Sequence, residues 1–131
     1  MNKYKLTDET KIVKGRLLHR IQALCSFSDV KAGDLGGFIE KEDNLSQHGT
    51  SWVYDEGCVF DSARVFGNAC VFEKALVFGN ARIFGNARIC GKVCVFGKAC
   101  VFESAYAYGS VLIFGNACVS GLEQVCKGVC C

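Results

Sequence analysis

The chain has 131 residues, the size of one domain, and half of them are hydrophobic, so it can bury a core. Fifteen basic residues against thirteen acidic ones leave a formal net charge of +2, too balanced for a protein that binds duplex nucleic acid through a basic field. No stretch reaches the ~18 apolar residues of a membrane span, so we expect no membrane partner.

Ten cysteines would form a disulfide framework in a secreted protein. The first ten residues, however, contain no apolar run typical of a secretory signal. We therefore predict a cytoplasmic protein whose thiols stay reduced and act as small packing groups. The spacing of Cys90 and Cys94, or of Cys126 and Cys130, also occurs in metal sites, but the period described below generates it anyway. We predict no metal and no cofactor.

The N-terminal third of the chain lacks the repeat that follows it. Residues 11–13 and 16–24 are typical of two strands joined by a turn at residues 14–15. The end coil of a solenoid exposes an unpaired edge, and an atypical terminal unit usually covers it. We predict that residues 1–44 form a capping hairpin and turn segment and that residues 45–131 form the solenoid.

From residue 53 to Cys130 the sequence repeats every six residues, and we expect this phase to hold unbroken. Residues 45–52 precede the first hexad and are two residues out of phase with it. The first place of each hexad is Val or Ile, except at Ala107, and the fifth place is small or apolar, except at Glu123. Strand alternation puts these two places on one side and the second and sixth places on the other. Because the sixth place holds arginines, which are costly to bury unpaired, we predict that Val and Ala point inward and that Phe, Cys and Arg point outward.

The third and fourth places are mostly Gly-Asn, Gly-Lys or acidic-polar pairs, which suit a corner where one residue takes positive φ. Each hexad is then one short strand and one corner. Three corners close a triangle, so the sequence predicts parallel coils of three hexads each.

These hexads resemble the repeat of the hexapeptide-repeat (LpxA-like) superfamily, which has an aliphatic residue first, a small residue fifth and a turn residue such as Asn68 fourth. Residues 29–40, 44–47 and 52–55 are also similar to the YdcK-like branch of that superfamily and to small phage and prophage proteins. The resemblance implies an all-β fold, a single-stranded left-handed parallel β-helix with an N-terminal β-hairpin cap. It also implies a mobile-element origin, but it supplies no activity.

The best-known members of the superfamily are acyltransferases with a catalytic His, a loop between coils and often a C-terminal helix. This chain has only His19, in the predicted hairpin, and His48, in the irregular first coil. Two His cannot form the three-His zinc site of the superfamily's carbonic anhydrase branch. His48 is the weak candidate for a general base in an acyltransferase alternative, and we favour a protein that is not an enzyme.

Outward side chains sort into three faces when the hexads are arranged as three-hexad coils. The first, here called the apolar face, carries no charge and exceeds what a soluble monomer normally exposes. It predicts a homo-oligomer, a trimer or a dimer, unless the N-terminal segment covers it or the stacked rings only stabilise the ladder. Its residues are Cys58, Phe60, Leu76, Phe78, Cys94, Phe96, Leu112 and Phe114.

The two other faces carry the candidate ligand-binding residues. The arginine face has Arg64 and Arg82 one coil apart beside a row of Phe, which suits a small anionic or nucleotide ligand, although solvated Arg over Phe is the plainer interpretation. The mixed face suits a protein or ligand contact. Its residues are Trp52, Tyr54, Phe72, Arg88, Tyr106 and Tyr108.

These patterns favour a non-catalytic, self-associating binding or scaffold protein. The alternatives are a sponge that sequesters a small anionic or nucleotide ligand between subunits, and an acyltransferase-like enzyme. The last coil weakens at Ser120 and Glu123, and we predict that it frays after residue 119 instead of docking on a second copy.

Overall fold

The computed structural model describes residues 2–121 and the backbone of residues 124–130. This part of the chain consists of strands and one 3₁₀ turn, Glu42–Asn44, and contains no α-helix. None of its helical segments is therefore long and apolar enough to cross a membrane.

The chain begins with an antiparallel hairpin. Strands β1 (Tyr4–Val13) and β2 (Arg16–Ala23) pair from Tyr4 opposite Ala23 to Val13 opposite Arg16. Lys14 and Gly15 connect them with φ values of 51° and 79°, which is the left-handed pair that a tight hairpin turn requires. The predicted hairpin is confirmed, although its first strand begins further upstream than expected.

Strand β3 (Leu35–Ile39) links the hairpin to the coils. One of its edges pairs antiparallel with β2, and the other pairs parallel with the strand at Cys58–Val59. The hairpin is thus continuous with one sheet of the solenoid. The proposed boundary at residue 44 stays a prediction.

Short strands build the coils. Ten of them have two residues each: β4 (Trp52–Val53), β5 (Cys58–Val59), β6 (Arg64–Val65), β7 (Cys70–Val71), β8 (Leu76–Val77), β9 (Arg82–Ile83), β10 (Arg88–Ile89), β11 (Cys94–Val95), β12 (Cys100–Val101) and β14 (Cys118–Val119). Strands β13 (Tyr106–Ile113) and β15 (Gln124–Cys130) are longer because each continues through a corner.

Every third short strand pairs in parallel, which gives three columns of strands. Cys58 lies opposite Leu76, Leu76 opposite Cys94, and Cys94 opposite Leu112, so each coil takes three hexads. The columns are β5-β8-β11, β6-β9-β12-β14 and β4-β7-β10. The fold is the predicted all-β, left-handed parallel β-helix.

The interior of the triangle is a column of aliphatic side chains. Within residues 2–121, first-place Val and Ile and fifth-place Ala are essentially buried, as the alternation predicted. Burial of a Val or Ile contributes about 1.5–3 kcal/mol before chain entropy is subtracted. This column is therefore the main source of stability in the coils.

The coil length departs from three hexads at the two ends. Leu45 lies opposite Val65 whereas Trp52 lies opposite Cys70, which confirms the two extra residues of the first coil. At the other end, β15 pairs with β13 on both sides of a corner. The sequence separation between paired residues is one residue shorter after this corner than before it. The expectation of an unbroken phase to Cys130 is corrected here: the sequence keeps its six-residue period, but the backbone pairing shifts by one residue between Ala107 and Ser110 of β13.

The predicted fraying after residue 119 is not decided by this pairing. Leu122, Glu123 and Cys131 lie outside the described residues, as do the side chains of residues 124–130. The fraying therefore stays a prediction.

Corners turn at the third place of the hexads, where φ is positive. Gly occupies most of these positions, and Asp55, Asp61, Glu73 and Glu103 hold the others at φ values between 56° and 59°. Corner residues of successive coils also stack closely. A Cβ atom on Gly85, at φ +68°, would lie 2.7 Å from the backbone nitrogen of Glu103.

This stacking predicts opposite effects for two substitutions in one corner column. Glu103→Gly should raise the free energy of unfolding by about 0.5–1 kcal/mol, because Gly accepts left-handed φ without the steric cost of a side chain. Gly85→Ala should lower it by about 1–2 kcal/mol or more, since it adds both that cost and a backbone clash. Urea denaturation of both variants measures the two effects. A loss of stability in Glu103→Gly would contradict the claim that the left-handed φ of Glu103 costs free energy.

Arg20 fixes the hairpin against the solenoid. Its Nη1 donates a 2.7 Å hydrogen bond to the carbonyl of Gly36, and its Nη2 lies 2.8 Å from Oε2 of Glu56. The guanidinium also stacks over the Phe38 ring at 4.4 Å from the centroid. The hydrogen bond from Arg20 lowers the pKa of Glu56. The Arg20 side chain is only 14% exposed, whereas that of Glu56 is 49% exposed, so the guanidinium is shielded from water more than its partner is.

A second anchor holds the N-terminal end of β1. The Nζ of Lys3 donates a 2.7 Å hydrogen bond to the carbonyl of Ser51, and Lys3 is 4% exposed. Burial lowers the pKa of Lys3 to about 8. Lys3 and Arg20 therefore tie the hairpin to the solenoid at two separate points.

Arg20→Ala should destabilise the protein by about 2–3 kcal/mol, because it removes several charge-assisted contacts and takes the Arg20 donor away from the carbonyl of buried Gly36. Arg16 is a matched control, since it also bridges the hairpin to two carboxylates, those of Glu40 and Asp61, but its side chain is 52% exposed. Arg16→Ala should cost under about 1 kcal/mol. Equal losses in chemical denaturation would show that Arg20 is not the main anchor.

Candidate binding surfaces

The apolar face is divided by the hairpin into a covered part and an open part. Leu18 of β2 packs with Phe38, Cys58 and Phe60 in a buried cluster, and Phe60 is 1% exposed. The expectation that Cys58 and Phe60 are outward-facing interface residues is corrected here, since the hairpin encloses them. The alternative that the N-terminal segment covers the apolar face holds for this part.

Leu76 and Phe78 mark the boundary of the covered part. Both pack partly against the buried cluster, together with Val13 at the tip of the hairpin. The ammonium group of Lys14 lies 5.5 Å from the centroid of the Phe78 ring. Leu76 and Phe78 are therefore only half accessible to another protein.

The open part of the apolar face consists of Cys94, Phe96, Leu112 and Phe114. Leu112 is 39% exposed and the other three are half-buried. The rings of Phe78, Phe96 and Phe114 stack at centroid distances of 5.0 and 5.3 Å and are nearly parallel. Part of their apolar area is thus used within the chain, as the ladder interpretation expected, and the rest remains accessible.

The arginine face places two like charges directly opposite each other. Arg64 of β6 is in register with Arg82 of β9, and both are exposed. Rings of Phe66, Phe84 and Phe102 stack beside them at 4.9 and 5.1 Å. Within residues 2–121 neither arginine has a carboxylate at salt-bridge distance, whereas Arg16 and Arg20 each have two.

Two hollows border this pair of arginines. The first has a volume of about 430 Å³ and lies toward the first coil, with Glu42, Asp43 and Gln47 in its wall. The second, here called the corner groove, has a volume of about 480 Å³ and follows the opposite corner. Its wall consists of Ser62, Arg64, Asn80, Arg82, Lys98 and Cys100.

Ser62, Asn80 and Lys98 are not among the binding residues predicted from the sequence. All three occupy the fourth place of hexads that lie one coil apart, so the period that aligned the arginines also aligns them. The signal was present, but corner residues were read only as turn formers.

The mixed face does not form one continuous surface. Trp52 is 1% exposed and packs edge-to-face against Tyr4 and Phe27 at centroid distances of 6.1 and 5.3 Å. The prediction that Trp52 lies on an outer face was wrong, because the start of β1 and the segment after β2 fold over it. Its indole is consequently not available to a ligand.

The remaining candidates of the mixed face lie further along the solenoid. Arg88 is exposed and in register with Tyr106, whose ring lies 4.8 Å from that of Tyr108. The thiol of Cys90 donates a 3.3 Å hydrogen bond to the Tyr106 hydroxyl. Arg88 is a single charge in its column, where Cys70 lies on its other side. This geometry offers one cation beside two phenols.

His48 is exposed in the irregular segment between Leu45 and β4. Its neighbour Gln47 lines the first hollow on the arginine face, but His48 is not in that wall. His19 lies in β2, where its Nδ1 is 3.2 Å from the carbonyl oxygen of Thr7. The structure thus brings neither imidazole to a hollow that contains the arginines.

Seven cysteines have described side chains, and all seven are free thiols. Cys100 lies directly opposite Cys118, as the period predicted. Burial raises the pKa of Cys94 and of Cys100, which keeps these thiols protonated and poorly nucleophilic. Among the described residues no group of three His, Cys, Asp or Glu side chains could hold a metal ion, and Cys126 and Cys130 lie outside that set.

The triangular coils, the inward aliphatic column and the hexad corners define a hexapeptide-repeat left-handed β-helix. Over 67 residues the chain is 37% identical to the uncharacterized acetyltransferase YdcK of Escherichia coli strain K12. This similarity, together with the solenoid, supports a YdcK-like branch of that superfamily.

The similarity covers 45% of this chain but only 21% of the length of YdcK. No protein-family model matches the chain. The comparison thus supports the fold and leaves the activity to be argued from the surfaces.

Proposed function

We propose that the protein is a non-catalytic β-solenoid that binds other molecules and self-associates through the open part of its apolar face. The observation that carries the proposal is the half-covered state of this face. The hairpin encloses Cys58 and Phe60, yet it stops before Phe96 and Leu112. A second copy can shield the remaining apolar rows by the same kind of contact that the hairpin makes.

The size of the open part sets the expected affinity. Cys94, Phe96, Leu112 and Phe114 fall well short of the ~20–30 residues per side of a standard stable interface. Contacts must therefore extend onto the adjoining corners, which carry Lys92 and Lys98. We expect a dimer or trimer that forms in the micromolar range instead of a permanent oligomer.

Absence of charge in the open part supports self-association over a contact with a charged partner. Two copies of this uncharged surface bury apolar area against each other without burying an unpaired charge, which would cost several kcal/mol. The rims, by contrast, are polar and can remain in water. A two-fold or three-fold arrangement of one patch satisfies both conditions.

A second candidate function is acyl transfer, which the name of the E. coli relative favours. The exposed position of His48 does not supply the oriented imidazole that such a reaction needs, unless a second copy lies beside it. Turnover of an acetyl donor that disappears in His48→Ala would favour the enzyme. The cytoplasmic setting and the phage or prophage origin stay predictions from the sequence.

Leu112→Glu should lower the average mass in solution, because it puts a carboxylate into the centre of the proposed contact. Ile12→Glu is the matched control, since Ile12 is 72% exposed on the hairpin and outside that contact. Sedimentation measurements over a concentration series up to about 100 μM, within the proposed affinity range, compare the two variants with the wild type.

Circular dichroism establishes that both variants keep the β fold. A wild type that is monomeric throughout the concentration series contradicts the proposal. An equal loss of mass in the Ile12 control also contradicts it, because the effect would then follow from added charge alone.

A further inference from the structure

We propose that the corner groove of the arginine face binds the phosphate group of a small phosphorylated molecule. Arg64, Arg82 and Lys98 supply the charge, and Ser62 and Asn80 supply neutral hydrogen-bond donors. This site shares Lys98 with the rim of the proposed self-association contact but lies on a different face from its centre at Leu112, so variants of Arg82 and of Leu112 test the two proposals separately.

The charges of Arg64 and Arg82 repel each other across the strands. Arg64 and Arg82 are opposite each other on parallel strands, where backbones lie about 4.8 Å apart. Like charges placed directly opposite destabilise a sheet. Arg16 and Arg20 balance their charge with two carboxylates each, but within residues 2–121 Arg64 and Arg82 have none at salt-bridge distance. A bound anion would remove this repulsion.

The composition of the wall favours an anion in the corner groove. The corner groove contains three cationic side chains, one hydroxyl and one amide, and no acidic residue. The first hollow shares both arginines, but Glu42 and Asp43 in its wall would repel an anion. The acidic residues thus direct the anion to the corner groove and away from the first hollow.

The donor geometry and the charge of the groove select a phosphate. A guanidinium presents donors in a planar fork that matches the oxygens of a phosphate or carboxylate. Two forks and an ammonium carry three positive charges, which complement a phosphate dianion better than a carboxylate with one negative charge. The groove of about 480 Å³ also leaves room for an organic group on the phosphate.

Backbone hydrogen bonds between coils hold the groove in place. The amide of Asn80 donates to the carbonyl of Gly97 at 2.8 Å, and that of Lys98 donates to Gly115 at 2.8 Å. The Cα positions of the corner are therefore set by the solenoid, and only the ends of the long side chains need to order on binding. The backbone of the site thus needs no reordering when the ligand enters, and the entropy cost is confined to these side chains.

The test is calorimetric titration of the full chain at low ionic strength with inorganic phosphate, adenosine monophosphate and acetate. Phosphate and the monophosphate should bind, and acetate should bind at least about tenfold more weakly, because it offers one charge instead of two. Tighter binding of the monophosphate than of phosphate assigns the phosphorylated molecule as the ligand, and equal binding assigns the ion itself.

Two variants isolate the site. Arg82→Gln should weaken phosphate binding about ten- to a hundredfold, since one charge-assisted contact is lost. Arg88→Gln is the matched control on the mixed face, because Arg88 is equally exposed but has no cation opposite it, and its affinity should not change. Without ligand, Arg82→Gln should also melt at a higher temperature than the wild type, and salt should reduce the difference.

Three results overturn the proposal. The first is the absence of any heat of binding with either phosphate compound at about 10 mM, a concentration far above any specific dissociation constant. The second is an equal loss of phosphate affinity in the two variants. The third is binding only to a polyanion such as single-stranded RNA. Phosphate binding that persists in Leu112→Glu separates this site from self-association.

Discussion

The stacking of inward aliphatic side chains from each coil to the next is the constraint on which the rest of the molecule depends. Val77 lies between Val59 and Val95 in one column, and all three are fully buried. No coil could bury these side chains alone, because a single coil is only one strand thick and leaves both sides of each inward side chain open to water. Each coil is therefore stable only between neighbours, and the ends need a different solution.

Once the inward places are fixed, the outward places form columns of their own. Residues that are three hexads apart become neighbours, so a local sequence choice is repeated along the surface as a row of similar groups. The rows of Phe rings and the pair Arg64–Arg82 both arise in this way. The surfaces on which function can reside are thus a direct consequence of the period.

The repeat was predictable from sequence because its signal is local and recurs in every hexad. Coverage of the faces was not, because it depends on contacts between residues far apart in the chain. Phe60 and Trp52 occupy outward places yet are buried, since Leu18, Tyr4 and Phe27 happen to fold over them. The register change before Lys127 was also missed, since the hexad pattern continues in the sequence after the backbone has shifted by one residue. The apolar residues of β2, Leu18 among them, were the available hint that the hairpin packs on a face.

Deletion of one complete coil tests the central claim most directly. Removing residues 73–90 joins Phe72 to Gly91 and leaves every remaining inward side chain above and below an equivalent one. The account predicts a cooperatively folded protein with a smaller dependence of unfolding free energy on urea, because one coil fewer is exposed on unfolding. Removing residues 73–81 instead takes out half a coil and moves Asn86 into the inward place of Val77, so this variant should not fold. A whole-coil deletion that fails to fold, or a half-coil deletion that folds equally well, would contradict the claim that the register of three hexads per coil holds the structure together.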